Sequence, residues 1–374
     1  MRKYIITGVS LVALSAGMAQ AGGFELQTLD TSIMYADGNA GSISIADINA
    51  SVSGTFNTTA DTVKDQQVTN VGLKMGLGPF DLGLYTYRSG SIQLSGGNTV
   101  GVNYAPIADV DINSTTLMAL YRLNDNVSLL GGLTQNSLTN GNIKTIKGSY
   151  DVTGATSTGY MLGAAYSIPD IAFRAEALYQ PSSKISTKTA YDGTQEQIFS
   201  VLGGSAGANA AGSLSDDYDT EVTRPETLTL NLQSGIAKDT LMFASYHRAK
   251  WSSAPVVVAV GSLGTVDPSI NETFGDSEKV TIGIGRKFSD SLSGSLSYSN
   301  EEGGGDIATS LFTVSNGTQT VSAGLRYTVD NMEISGGISY SQLGDVTVNA
   351  SGLGNIVYEN NTVTAMGVKV AFAF

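Results

Sequence analysis

The sequence predicts an all-β protein: a closed antiparallel transmembrane β-barrel of about fourteen strands, preceded by a short N-terminal segment. Three observations carry this. Apolar residues recur at every second position in fourteen segments, and the links between those segments alternate between short and long. Past the N-terminus no stretch has the roughly 20 apolar residues that a membrane-crossing helix needs, the longest clearly apolar run being PVVVAV at 255–260.

In chain order, residues 1–18 place Arg2 and Lys3 before an apolar stretch that is short and broken by Ser and Gly, and Ala19-Gln20-Ala21 follows as a small-x-small cleavage pattern. Residues 1–21 are therefore expected to be a secretory signal peptide cleaved after Ala21. The fourteen segments span 41–55, 67–76, 80–88, 114–123, 127–135, 157–166, 171–179, 227–235, 241–250, 278–288, 292–299, 318–327, 332–340 and 362–374. Six links are tight turns at 77–79, 124–126, 167–170, 237–239, 289–291 and 329–331, carrying the Asn, Asp, Pro and Gly that turn geometry favours. The links at 56–66, 89–113, 136–156, 180–226, 251–277, 300–317 and 341–361 are long. Short turns on one rim and long loops on the other are the arrangement of an outer-membrane barrel, whose closure satisfies every backbone hydrogen bond within lipid. A secreted β-sandwich is the alternative, and it supplies no reason for loop lengths to segregate.

Facing follows from the pleat. Met366, Val368, Val370, Phe372 and Phe374 share one face and Gly367, Lys369, Ala371 and Ala373 the other, so the first face meets lipid. The same logic sends Val321, Ala323, Leu325, Tyr327, Ile334, Ile338 and Tyr340 outward, and Arg326 and Glu333 inward. Tyrosines recur at strand ends, as an interfacial girdle requires. The inward positions include Met118, Leu120, Leu130, Gly132, Met161, Gly163, Ala165 and Leu178 beside Arg174 and Glu176. Either a greasy lumen or one packed on a plug follows, and both disfavour an open salt-conducting pore. Apolar stretches also occur in two long links, IFSVL at 198–202 and APVVVAV at 254–260, where they form a binding surface or pack on each other.

Composition excludes several classes. There is no cysteine, hence no disulfide framework and no thiolate metal site. Removing Arg2 and Lys3 leaves 18 basic against 33 acidic residues, a surface that repels nucleic acid. The only histidine, His247, lies in the segment 241–250, where a structural or lumen-lining role outweighs a catalytic one. Asp216, Asp217 and Asp219 offer oxygen ligands for Ca²⁺ but read better as a solvated loop. The glycines at 203–212 lack the strand and Lys-Ser/Thr context of a phosphate loop. Neither an enzyme nor a cofactor is expected.

Several blocks then carry a resemblance: GGFELQ after the cleavage site, YRLNDNVSLLGGL at 121–133, TGYMLGAAYSIPDIAFRAEALYQPSSKIS at 158–186, PETLTLNLQSGIAKDTLMFASYHRAKWSS at 225–253, and the run from EKVTIGIGRKFSDSLSGSLSYS to the C-terminal AFAF. In this order they resemble the FadL/TodX family of outer-membrane transporters of long-chain fatty acids and aromatic hydrocarbons. The resemblance implies a fourteen-stranded barrel with an N-terminal hatch, an outer apolar groove, a pocket near the hatch and sideways release at a kinked third strand. It places Phe24 in the hatch near the pocket, Gly90 of YRSG at the kink, Lys144 and Lys147 as carboxylate-binding side chains, and Ile198, Phe199 and Leu202 in the outer groove. The chain lacks the family's Asn-Pro-Ala after the hatch and has Tyr179-Gln180-Pro181 where the family tends to have Tyr-Arg-Ser.

The expected division is a signal peptide over 1–21, a hatch over 22–39 and the barrel over 40–374. The protein is expected in the bacterial outer membrane as a monomer, touching its lipid and lipopolysaccharide, with the terminal Phe374 addressing the barrel-assembly machinery. The function implied is passive uptake of hydrophobic small molecules, long-chain fatty acids or related hydrocarbons. A diffusion porin and an outer-membrane lipid-modifying enzyme are the alternatives.

Overall fold

A strand with one apolar and one polar face is stable in lipid only when its backbone is paired on both edges. Fourteen strands meet that condition in a closed ring in the computed structural model, which describes residues 25–54, 61–96, 105–145, 148–192, 217–260, 269–303, 305, 307–308, 310–350 and 354–374. They are β1 Ala40–Ser51, β2 Gln66–Leu77, β3 Phe80–Ser95, β4 Ile107–Arg122, β5 Val127–Leu138, β6 Ala155–Ile168 and β7 Phe173–Gln180. The second half comprises β8 Glu226–Ala237, β9 Thr240–Lys250, β10 Ser277–Lys287, β11 Leu292–Glu302, β12 Thr318–Val329, β13 Met332–Leu343 and β14 Thr362–Ala373. Each pairs antiparallel with the next, and β14 closes on β1 from Ala40–Ala373 to Ser51–Thr362.

The tight rim follows from its turn residues. Leu77 pairs with Phe80, Ala237 with Thr240 and Val329 with Met332, leaving two-residue turns of Gly78-Pro79, Lys238-Asp239 and Asp330-Asn331. Gly78, Asp239 and Asp330 take the positive φ that such turns demand, at 76°, 59° and 50°. Outward faces carry the apolar band the sequence predicts: Met366, Val368, Val321, Leu325 and Ile338 are all more than half exposed. Exposed aromatic residues flank that band in two rows. Phe80, Tyr121, Tyr166, Phe288, Tyr327 and Phe374 lie towards the tight turns, and Tyr160, Tyr179, Tyr298 and Tyr340 towards the far rim.

The long links differ from the sequence reading, which left them as loops. Gly141–Thr145, Gly148–Val152, Ser183–Asp192, Asp217–Arg224, Val256–Val260 and Ile270–Glu272 are strands that continue the sheet beyond the rim. A separate small sheet joins Ile307–Ala308, Val346–Ala350 and Gly354–Tyr358. These extensions enclose an aromatic core in which Tyr150, Tyr191 and Tyr218 touch in sequence and Trp251 meets Phe274 edge-on, ring centroids 5.6 Å apart. Ala254, Val258 and Ala259 of the apolar stretch at 254–260 are buried in it, while Val256 and Val257 are half-buried and Val260 is exposed, so that segment packs partly inward.

β3 and β4 also run further than the sequence suggests, to Ser95 and from Ile107. Their pairing skips a residue between Arg88 and Gly90, so Ser89 bulges out. A bulge inserts one residue and shifts the alternation, which is why the period-two signal stops at Arg88 although the strand continues.

Candidate functional site

Residues 25–39 lie within the ring. The segment begins as a two-residue strand, Glu25–Leu26, paired with Ser91 and Gly90 on the edge of β3. It passes through a single 3-10 turn, Ser32–Tyr35, and reaches the tight rim at Asn39, whose carbonyl accepts from the Phe374 N–H. Ile33 and Met34 are buried against Tyr85, Tyr87, Met118, Leu120, Leu130, Met161, Ala165 and Leu178. The apolar inward residues of β4–β7 are therefore a seat for a plug. Two glycines make room for it: a Cβ at Gly72 would stand 2.9 Å from Ile33 Cδ1, and one at Gly83 would stand 2.6 Å from Met34 Sδ.

Three polar anchors hold the segment from different sides of the ring. On β7, buried Glu176 accepts from Thr31 Oγ1 at 2.9 and 3.0 Å, from Asn231 Nδ2 at 2.9 Å and from the Tyr35 hydroxyl, and the Arg174 guanidinium lies 4.1 Å from the centre of the Tyr35 ring. A buried carboxylate is tolerable because these donors replace its water. On β14, Lys369 Nζ meets Asp30 Oδ2 at 2.5 Å. On β2, Lys74 Nζ donates to the carbonyls of Ala36 and Gly38 at 2.6 and 2.7 Å while pairing with Asp81 at 3.0 Å. Enclosure by the barrel raises the Asp30 pKa, but the Lys369 ammonium and the Ser32 hydrogen bonds outweigh it and hold the carboxyl at about 2.

The rest of the lumen is open. A cavity of ≈ 350 Å³ lies beside the plug, within the size range of small-molecule sites. Its walls differ. Towards β9–β12 they present hydroxyls, among them Ser245, Thr281, Ser295, Ser297, Ser299, Thr320 and Ser322; towards β1–β3 they mix Ser42, Ser44 and Asn70 with Ile48, Val68, Val71, Tyr85 and Tyr87, beside Leu26 and Leu29 of the plug.

Beside this cavity the wall is interrupted. The β2–β3 ladder runs only from Leu77–Phe80 to Val71–Thr86, and contact resumes further up, where Lys64 N–H donates to the Gln93 carbonyl and Ser95 N–H to the Thr62 carbonyl. Between them the β3 edge at Gly90 and Ser91 is taken by Glu25–Leu26. Val71 and Thr86, the last pair of that ladder, border the cavity together with Tyr85 and Tyr87.

A second, smaller cavity of ≈ 30 Å³ lies on the other side of Leu26–Leu29, walled by Met161, Leu178, Gln180, Arg224, Thr227 and His247. His247 lines the lumen, its Nδ1 2.9 Å from Thr229 Oγ1.

Of the residues that the sequence and its resemblance single out, Gly90 lies at the β3 bulge, beside the gap. Lys144 is exposed on the Gly141–Thr145 strand, outside the lumen. Phe24, Lys147, Ile198, Phe199 and Leu202 lie outside the described residues. The sequence did place Arg174, Glu176 and Lys369 on the inward face. It gave no signal for their pairing with Tyr35, Thr31 and Asp30, which bridges up to 339 positions.

Closed ring, buried N-terminal segment and interrupted ladder define a plugged fourteen-stranded barrel with a gap in one strand pairing. No model of a known protein family and no curated protein sequence matches the chain. Solved structures do. A Pseudomonas aeruginosa FadL homologue aligns with TM-score 0.70 at 14% identity, over 96% of this chain and 98% of that one. The P. putida toluene transporter TodX aligns with TM-score 0.63 at 12% identity, over 92% of each. The Ralstonia pickettii toluene transporter TbuX aligns with TM-score 0.61 at 14% identity, over 91% and 90%. The chain has the fold of the FadL and TodX proteins.

Proposed function

We propose that the protein is a bacterial outer-membrane channel for passive uptake of hydrophobic small molecules, fatty acids or hydrocarbons, released sideways into the bilayer between β2 and β3. The observation that carries this reading is the interruption of the β2–β3 ladder beyond Val71–Thr86, beside the lumen cavity. A greasy solute leaving by that route never crosses a layer of water, and burying it contributes roughly 25 cal/mol per Å² of apolar surface. The reading includes export through the signal at 1–21, a hatch over 22–39, and assembly aided by the C-terminal Phe374. The neighbours named above, two of them toluene transporters, support the choice of solute class.

Deleting Ser89 tests it. The deletion removes the bulged residue, brings Arg88–Asn113 and Gly90–Ile112 into regular register and lets β3 close on β2. Uptake of a labelled hydrocarbon or fatty acid by cells should fall severalfold while the amount of folded barrel stays constant. Unchanged uptake by a correctly folded deletion variant rules out the side exit.

The hydroxyl-lined wall of β9–β12 favours a second reading, in which small polar solutes also leak past the plug. Planar-bilayer conductance measures it directly.

A further inference from the structure

We infer that the solute taken up is a neutral oxygenated amphiphile, an apolar skeleton bearing two or more hydroxyl or carbonyl groups, seated in the lumen cavity between the hydroxyl wall of β9–β13 and the side chains of Tyr85 and Asn70. This rests on the uptake reading and specifies its solute. One lumen-facing row runs straight across five strands as Ser245, Thr281, Ser299, Thr320 and Ser341, each directly opposite the next. One step nearer the tight rim, Ser297, Ser322 and Ser339 repeat the pattern.

Part of this lattice satisfies itself. Thr281 Oγ1 lies 2.8 Å from Ser299 Oγ, and Thr320 Oγ1 2.8 Å from Ser341 Oγ. The rest does not: Ser339 Oγ, the Tyr85 hydroxyl, Asn70 Oδ1 and His247 Nε2 are buried without a hydrogen-bond partner among the described residues. Tyr85, Asn70 and His247 line the ≈ 350 Å³ cavity, as do Ser245, Ser297 and Ser322, and Ser339 stands opposite Ser322 in the β12–β13 register. Polar atoms in need of a partner thus approach one space from two sides.

These atoms decide the class of ligand. A hydrocarbon that fills the cavity displaces water from each of them and supplies nothing in exchange, whereas a hydroxyl or carbonyl restores the bond. A site built around such groups rejects the analogue that lacks the oxygen far more sharply than an apolar pocket separates two hydrocarbons. The skeleton between the oxygens stays apolar, because Leu26, Leu29, Ile48 and Val68 border the same cavity. Charge has little part in the recognition. Glu176 is held by Thr31, Tyr35 and Asn231, Lys369 by Asp30, and Arg174 lies on the Tyr35 ring with Gln233 Oε1 at 3.3 Å. Lys279, which also lines the cavity, stands opposite Glu301 in the β10–β11 register. The groups left open are hydroxyls, an amide oxygen and an imidazole nitrogen, and a neutral oxygenated molecule answers them.

The test is equilibrium binding of labelled dodecane-1,12-diol and labelled dodecane to the full-length barrel in phospholipid nanodiscs, with binding to empty nanodiscs subtracted. Wild-type protein should hold the diol at least about tenfold more tightly than dodecane. Tyr85→Phe, which removes one hydroxyl and keeps the ring, should lower that ratio about fivefold, and the double substitution Ser297→Ala/Ser322→Ala should lower it by a similar factor. The serine pair provides the test if Tyr85→Phe does not fold. A fall of less than about threefold in every variant that folds overturns the assignment. A wild-type ratio short of the tenfold preference, the outcome expected of hydroxyls that merely carry water, overturns the solute class and leaves the uptake reading standing. Binding of neither probe overturns both.

Discussion

Glu176 shows how a single side chain decides what the plug does. It is buried on the wall, yet three of its donors' residues, Thr31, Tyr35 and Asn231, come from two different elements, and two of them belong to the plug. Hydrogen bonds to a charged group contribute about 1.5–3 kcal/mol each way of the balance. Glu176→Gln keeps the shape and removes the charge, and is expected to loosen the docked plug by about 2 kcal/mol. Hydrogen exchange at the amides of residues 31–36 should speed up accordingly, with little change in the barrel strands. The Asp30–Lys369 pair gives a pH dependence of known sign. The folded pKa of Asp30 lies below its ordinary 3.8, so the pair stabilises docking fully above that value and loses its effect as pH falls through about 2. The plug amides should therefore keep their protection from neutral pH to about 4 and lose part of it between there and about pH 2. Asp30 retains 55% of its side-chain exposure, so water and salt screen the pair and the loss is modest.

Among the elements, β3 carries most of the consequence. Its lower half, from Phe80 to Tyr87, alternates strictly and was legible in the sequence. The upper half was not, because the bulge at Ser89 puts consecutive residues on one face. The strands beyond the rim escaped detection for a related reason: Ser183–Asp192 reads SKISTKTAYD, with apolar residues too sparse to stand out, and its partners lie far off in sequence. Arg224 was equally hard to see, since a single arginine before Pro225 looks like a loop charge until Asp217–Arg224 is folded against Ser183–Asp192. The lower half of β3 also makes a specific prediction. Gly83 faces Met34 and Tyr85 closely enough that a large side chain must displace the 3-10 turn. Gly83→Leu should cost about 1–3 kcal/mol of plug docking, as overpacking does. Limited proteolysis of the variant should cut within residues 25–39 while the barrel resists.

For the molecule as a whole, the sequence supported the ring and left the interior undecided. All fourteen wall strands were readable because lipid on one side and lumen on the other impose the same alternation everywhere. The lumen itself has no such periodic rule. It is packed with apolar side chains along β4–β7 and lined with hydroxyls along β9–β12, a division that only the position of the plug explains. Since the hydroxyl-lined half is already unfilled, deleting residues 22–38 should raise single-channel conductance modestly, and a rise to the level of an open fourteen-stranded pore contradicts this arrangement.

The seam between β14 and β1 makes the stopper a gauge of the cylinder's integrity. The plug leads directly into β1, and one of its three anchors, Lys369, sits on β14, the strand that closes on β1. A barrel parted at this seam loses the Asp30–Lys369 latch and keeps Thr31 and Tyr35 on Glu176, so its stopper hangs from one side only.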